Sequence, residues 1–149
     1  MSNYTEEVGN KLNGLLERTY DAEKGYKKAA ENVNHSALKT FFKAKAQQRY
    51  DFGHQLKSEI KSFNQEVDKG GSLKGAAHRA WMDTKALFST DNSEAMLEEA
   101  IRGEKSAVSE YNDVLNETTL PTSTKSLLKS QKNVIENELN RIKTLEDLA

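Results

Sequence analysis

Apolar residues recur at alternating spacings of three and four along four long stretches of this chain, and this periodicity constrains the fold most strongly. In the first stretch the series is Val8, Leu12, Leu15, Thr19, Ala22, Tyr26, Ala29 and Val33. Such spacing gathers the side chains into one apolar stripe along a helix, which must be buried against other helices. The four stretches predict long helices over about 5–33, 36–68, 92–117 and 122–147.

Strand patterns are missing from the sequence. No segment alternates apolar and polar residues with β-branched enrichment, and the chain contains a single proline, Pro121. We therefore expect an all-α protein. A length of 149 residues favours one domain, which would span residues 1–149.

The connections between these helices predict the topology. Short breaks after the first and third helices favour antiparallel hairpins, whereas the link between the second and third helices, roughly 20 residues, can cross the length of a bundle. Gly70-Gly71 is expected to end the second helix, and the apolar series from Leu73 onward predicts a short connector helix over about 73–88. Two hairpins joined by a crossover make a ferritin-like four-helix bundle, although the connector helix could instead lie across an open face of the bundle.

Composition excludes several classes of protein. Lys and Arg total 22 against 23 Asp and Glu, so the net charge of −1 provides no basic field for nucleic acid or for an anionic membrane surface. The absence of cysteine excludes a disulfide scaffold, a thiolate metal site and a cysteine nucleophile. Met1 to Asn10 lacks the basic and apolar regions of a signal peptide, and no apolar run exceeds three residues. We expect a cytoplasmic protein that binds neither nucleic acid nor membranes.

Polar residues interrupt the apolar stripes near the middle of the helices. Glu104 is the clearest case, because Ala100, Ile101, Ala107 and Val108 surround it on the helix. The inward candidates for a polar layer are Glu23, Gln48, Glu104, Gln131 and Glu138. Lys45, Arg49 and Glu59 also fall in the stripe of the second helix.

Two interpretations of this layer compete. Inward carboxylates hold the metals of di-iron and di-manganese bundle proteins, so Glu23, Glu104 and Glu138 could bind iron or manganese, with Gln48 and Gln131 as weak oxygen ligands. Lys45 and Arg49, at the same level, could instead pair with the acids in a buried ion network. The sequence favours the ion network because no histidine is expected to point inward.

Helical geometry predicts the directions in which His54, Asp51 and Glu17 point. At about 100° per residue, His54 of the Asp51-x-x-His54 motif projects roughly opposite the stripe of Phe52 and Leu56. Although its spacing resembles that of a metal-binding motif, this acid and histidine pair is therefore expected to face solvent. Glu17 is likewise expected to point away from the stripe.

No catalytic motif accompanies these residues. Glycine-rich phosphate loops, the GxSxG nucleophile elbow and the HExxH zinc motif are all missing, so an enzyme is not the favoured interpretation. Tyr20 and Tyr50 lie off their stripes, where the connector helix or a second copy in a homo-oligomer would cover them.

Several short motifs resemble those of a known family. They are Leu12-Asn13-Gly14-Leu15-Leu16, Asp21, Gly25-Tyr26, Gln48-Arg49, Gly70-Gly71, Arg79-Ala80-Trp81, Arg102-Gly103-Glu104 and Tyr111. In this order they resemble an uncharacterised bacterial family catalogued as domain of unknown function 2383, over about Leu12 to Leu145. The resemblance implies a ferritin-like four-helix bundle in the bacterial cytoplasm, with no established activity.

The chain also departs from the patterns that this resemblance implies. The family often has Glu-Arg where this chain has Gln48-Arg49, and ferritin-like proteins have histidines where it has Gln48 or Gln131. These departures argue against metal oxidation chemistry. The lysine-rich amino-terminal tail of the mini-ferritins that coat DNA is also missing. We therefore expect a non-enzymatic bundle, either a stress-associated or a protein-interaction module, with metal binding at a degenerate site as the alternative.

Overall fold

A computed structural model describes residues 2–67, 93–117 and 119–148 of the chain. Within this part the protein has four α-helices and no strands: α1 Ser2–Asn32, α2 Ser36–Ser62, α3 Ser93–Glu117 and α4 Thr122–Leu148. The all-α prediction is confirmed for these residues. The expected connector helix over about 73–88 lies outside the described residues. None of the helices described here has the length and apolar character needed to cross a bilayer.

The apolar stripe of α1 is buried as its spacing predicted. All eight members of the series from Val8 to Val33 are buried, and Leu12, Leu15 and Tyr26 are completely inaccessible to solvent. A turn at residues 33–35 then reverses the chain. His35 begins α2 as its N-cap residue, where its Nδ1 accepts a hydrogen bond from the Leu38 backbone N–H at 3.4 Å.

The end of α2 differs from the prediction. The helix ends at Ser62, six residues before the expected end near 68, because Asn64 adopts the left-handed conformation with φ 58°. The Asn64 N–H donates to the Lys61 carbonyl and the Gln65 N–H donates to the Ile60 carbonyl, which is the Schellman arrangement. Asparagine tolerates this conformation, so the helix ends well before the first glycine pair.

Two hydrophobic clusters form the core, and each draws residues from all four helices. The first cluster contains the C-terminal halves of α1 and α4 with the N-terminal halves of α2 and α3. The second cluster contains the opposite halves. The helices of each hairpin, α1–α2 and α3–α4, are therefore antiparallel, whereas α2 and α3 run in the same direction. The chain between Ser62 and Ser93 thus joins opposite ends of the bundle.

Candidate functional site

The buried carboxylate of Glu104 lies at the boundary between the two hydrophobic clusters. Ala100 and Ala107 of α3, one turn to either side, are both buried, and Glu104 itself is 0% exposed. An isolated carboxylate in such a place would cost several kcal/mol. Arg49 of α2, which is 2% exposed, removes most of this cost: its Nη2 donates to Oε1 at 2.8 Å and to Oε2 at 2.6 Å.

Lys45 lies one turn before Arg49 and bridges two carboxylates. Its Nζ is 3.4 Å from Glu104 Oε2 and 3.8 Å from Oε1 of Glu138 on α4, and it donates to Gln48 Oε1 at 2.9 Å. Burial and the charge of Arg49 lower the pKa of Lys45 to about 8, although the two carboxylates oppose this shift. We call Lys45, Arg49, Glu104 and Glu138 the ion network.

Helix α1 contributes an aromatic wall to the ion network. Lys45 Nζ and Arg49 Cζ each lie 5.8 Å from the centre of the Tyr26 ring, a distance at which a cation is attracted to the ring face. Burial raises the pKa of Tyr26 well above its usual range, and the negative charge of Glu104 adds to this shift. Burial lowers the pKa of Arg49, but Glu104 outweighs that effect and the pKa is raised overall. All four helices therefore meet at this layer.

A second polar cluster lies within the second hydrophobic cluster. The Tyr111 hydroxyl donates to Gln131 Oε1 at 2.6 Å, and Gln131 Nε2 donates to the Phe52 carbonyl at 3.3 Å and to Gln55 Oε1 at 2.9 Å. Both Tyr111 and Gln131 are buried, and burial raises the pKa of Tyr111. These bonds satisfy the amide of Gln131 within the protein.

The five candidate ligands do not converge on one point. Glu104, Glu138 and Gln48 gather around Lys45, whereas Gln131 bonds to Tyr111. Glu23 is partly buried and pairs with Lys27 of its own helix at 3.0 Å. Across residues 2–67, 93–117 and 119–148, no group of three or more histidines and acids is placed to hold a metal ion. The polar layer consists of carboxylates that contact protein cations.

The predictions for Asp51 and Glu17, the two acids expected to lie away from the apolar stripes, have different outcomes. Asp51 and His54 are exposed, as helical geometry predicted, and the His54 ring contacts the Tyr50 ring edge-on at 4.6 Å. The prediction for Glu17 was wrong, because this residue is only 3% exposed. Leu15, Leu16 and Thr19 are buried as well, so α1 is buried over a wider arc at this level than its stripe alone implies.

Sequence reasoning missed the role of the stripe tyrosines. Tyr26 lies in the apolar series of α1, and Tyr111 lies between Val108 and Leu115 at the same helical spacing on α3. Neither spacing indicated a polar role, but Tyr26 contacts the ion network and Tyr111 bonds to Gln131. A tyrosine in a stripe that also holds charged or amide residues was the available indication, because a buried hydroxyl needs a polar partner.

Comparison with known proteins places the chain in a family. No curated protein matches it. The sequence pattern of the family described as "Domain of unknown function (DUF2383)" matches residues 7–117, which include most of α1, all of α2 and α3, and three members of the ion network. This match covers well over half of the chain. The chain therefore belongs to the DUF2383 family.

Proposed function

We propose that this protein is a non-enzymatic, ferritin-like helical bundle that acts as a protein-interaction module, and that its ion network is structural. The observation that carries the proposal is the pairing of Glu104. Both oxygens of its buried carboxylate accept hydrogen bonds from Arg49, and the ammonium of Lys45 lies between Glu104 and Glu138. Protein cations thus supply the charge that a carboxylate-bound metal would otherwise supply.

The structural role follows from which helices the network joins. Arg49 and Lys45 belong to the α1–α2 hairpin, whereas Glu104 and Glu138 belong to the α3–α4 hairpin. A shift of one hairpin along the other would leave Glu104 buried without a partner, which costs far more than the pair itself contributes. The network therefore sets the register between hairpins, as buried polar residues do in coiled coils.

The ferritin-like topology is supported by the direction of the helices. Two antiparallel hairpins with α2 and α3 in the same direction require a crossover, and we propose that it contains the connector helix over about 73–88. Hydrogen exchange tests this part: slow exchange of amides within 73–88 supports a helix, and exchange at the rate of an unstructured peptide contradicts it. We also propose a bacterial, cytoplasmic protein.

A second candidate function is metal binding, favoured by the proximity of Glu104 and Glu138 to one cation. A divalent iron or manganese ion in place of the Lys45 ammonium would have Glu104, Glu138 and Gln48 as oxygen ligands. Metal content after anaerobic incubation with Fe²⁺ or Mn²⁺ and exhaustive dialysis distinguishes the two functions.

The structural proposal predicts no retained metal in the native chain. Near-stoichiometric metal that is lost in Glu104→Gln, but kept in the control Glu99→Gln, would replace it with the metal-binding function. Glu99 is a suitable control because it lies on the same helix and pairs with the exposed Arg102.

The partner that we propose is a second copy of the chain, bound through the surface around Tyr50. This side chain is 48% exposed and packs against the exposed His54, which leaves an aromatic patch on the outer face of α2. Sedimentation velocity tests this: association that strengthens with concentration and weakens in Tyr50→Glu supports it. A monomer at every concentration contradicts it.

A further inference from the structure

A small pocket between α2 and α4 opens onto the ion network. It has a volume of about 210 Å³, and its walls include Thr40, Lys45 and Gln48 of α2 with Glu138 and Arg141 of α4. Pockets for drug-sized ligands span about 300–1,000 Å³, so this one suits a smaller molecule. It borders the amine of Lys45, which serves the ion network only as a cation.

Lys45 has the environment of a reactive lysine. Its side chain is 3% exposed, yet it lines the pocket, and Arg49 lies one turn further along α2. Desolvation and a neighbouring cation are the two means by which proteins activate lysine as a nucleophile. Both act here and lower the pKa of Lys45 to about 8.

Arg141 supplies a complementary group at the pocket wall. Its guanidinium Cζ lies 5.4 Å from the centre of the Phe41 ring, which also lines the pocket, so the aromatic face holds the cation beside the opening. A guanidinium binds both oxygens of a carboxylate through parallel hydrogen bonds. The pocket therefore combines a carboxylate binder with an amine nucleophile.

The geometry points to a binding site for a small 2-oxo carboxylic acid, whose carboxylate binds Arg141 and whose carbonyl carbon forms a reversible imine with Lys45. This inference goes beyond the structural role of the ion network. It assigns a ligand to the solvent side of that network, where Gln48 and Thr40 add polar groups.

The reaction balances with the groups present. Glu138, whose carboxylate is 3.8 Å from Lys45 Nζ, accepts a proton from the ammonium. The nitrogen lone pair then forms a bond to the carbonyl carbon as the C=O π electrons move to oxygen, and that oxygen takes a proton from the attacking nitrogen to give a neutral carbinolamine. Glu138 returns its proton to the hydroxyl, which leaves as water while the nitrogen lone pair forms the C=N bond of a protonated imine. The net change is the loss of one water from the ammonium and the ketone.

The charge of the product is compatible with the ion network. A protonated imine carries the same single positive charge as the ammonium, so Glu104 and Glu138 keep a cation between them. Acylation of the same amine would remove this charge and leave Glu104 with Arg49 alone, which burial would penalise. The network therefore selects for imine formation over acylation at Lys45.

Reductive trapping tests the inference on the native chain. Incubation with pyruvate and sodium cyanoborohydride at pH 7.5 converts an imine into a stable secondary amine, which peptide mapping by mass spectrometry locates. The exposed Lys43 is an internal control on the same helix. An ordinary lysine with a pKa near 10.4 has a neutral fraction roughly two hundredfold smaller than that of Lys45 at this pH. The lower basicity and the lower exposure of Lys45 offset part of this advantage. We therefore expect Lys45 to be labelled faster than Lys43 by about tenfold or more.

Variants of Arg141 test whether this residue binds the carboxylate of the ligand. Arg141→Gln should slow pyruvate labelling of Lys45 by roughly tenfold and leave acetone labelling unchanged, because acetone has no carboxylate. Arg102→Gln, another exposed arginine, should change neither rate. Labelling of Lys45 no faster than that of Lys43 would overturn the site. Pyruvate labelling unaffected by Arg141→Gln would overturn the ligand class.

Discussion

Of the two acids in the ion network, Glu104 is the one that contacts both cations, and replacing it with leucine removes these contacts. Arg49, which is 2% exposed, loses its hydrogen bonds to both carboxylate oxygens and cannot release its proton. Lys45 keeps Glu138 at 3.8 Å and can become neutral. The cost therefore falls mainly on Arg49. Breaking a buried pair by removing one partner costs about 3–5 kcal/mol, and we expect a loss of this size in Glu104→Leu.

Urea denaturation followed by circular dichroism measures this loss as a change in the free energy of unfolding. The double variant Glu104→Leu/Arg49→Met should recover most of the stability, to within about 1 kcal/mol of the native chain, because apolar residues of similar volume replace a buried ion pair well. Glu99→Leu is the control on the same helix. Its pair with Arg102 is exposed, so the loss there should stay below about 1 kcal/mol.

Two results would refute this reasoning. A loss below about 1 kcal/mol in Glu104→Leu would mean that Arg49 finds solvent or another partner at no cost. A double variant no more stable than Glu104→Leu alone would mean that the loss arises from packing of the new leucine, since removal of the unpaired cation would then have no effect.

Three further predictions concern pH, glycine and the end of α2. The folded protein binds fewer protons than the unfolded chain between the folded pKa of Lys45, about 8, and its ordinary value of 10.5, so this residue makes stability rise with pH across that window. Urea titrations from pH 7 to 10 should show this rise in the free energy of unfolding. The same rise in Lys45→Met would contradict its assignment to Lys45. Gly53→Ala should stabilise by about 0.5–1 kcal/mol, because its Cβ would make only ordinary contacts, the nearest at 3.7 Å. Gly9→Ala should destabilise the protein, because the new Cβ would lie 2.5 Å from Gln65 Cγ. Melting temperatures that change in the same direction in Gly53→Ala and Gly9→Ala would contradict these two predictions. Asn64→Ala should cost about 1–2 kcal/mol at φ 58°, whereas Asn64→Gly should not, and equal losses in the two variants would exclude backbone strain as the cause.

The stripes could be predicted from sequence because helical periodicity is a local property that burial reinforces. Every member of the α1 series is buried, and the central position of Glu104 followed from its apolar neighbours alone. The partners of Glu104 were harder to predict. Whether Arg49 and Lys45 lie level with Glu104 depends on how far α2 is shifted along the bundle axis relative to α3, and this shift is not contained in the helical spacing.

Three predictions differ from the structure for physical reasons that helical spacing does not contain. Glu17 is buried because α1 is enclosed over a wide arc at that level, and the width of a buried arc depends on tertiary packing. The early end of α2 depends on the left-handed conformation of Asn64, which competed with the more obvious Gly70-Gly71. Gln131 was placed in the same layer as Glu104, but its hydrogen bonds to Tyr111 and Gln55 belong to the next turns of the bundle.

The division of charge between the hairpins bears on how copies of the chain can assemble. The ion pairs that join the two hairpins in the described part of the chain include Arg49 with Glu104, Lys45 with Glu104, Lys45 with Glu138, and Arg18 with Glu110. In each of them the α1–α2 hairpin provides the cation and the α3–α4 hairpin provides the acid. Docking of two α1–α2 hairpins from different copies would bring Arg49 and Lys45 against another Arg49 and Lys45, and two α3–α4 hairpins would bring acid against acid. Like-charge repulsion in a buried layer thus disfavours both mispaired assemblies, so an exchange of hairpins between copies is confined to pairings that reproduce the native bundle.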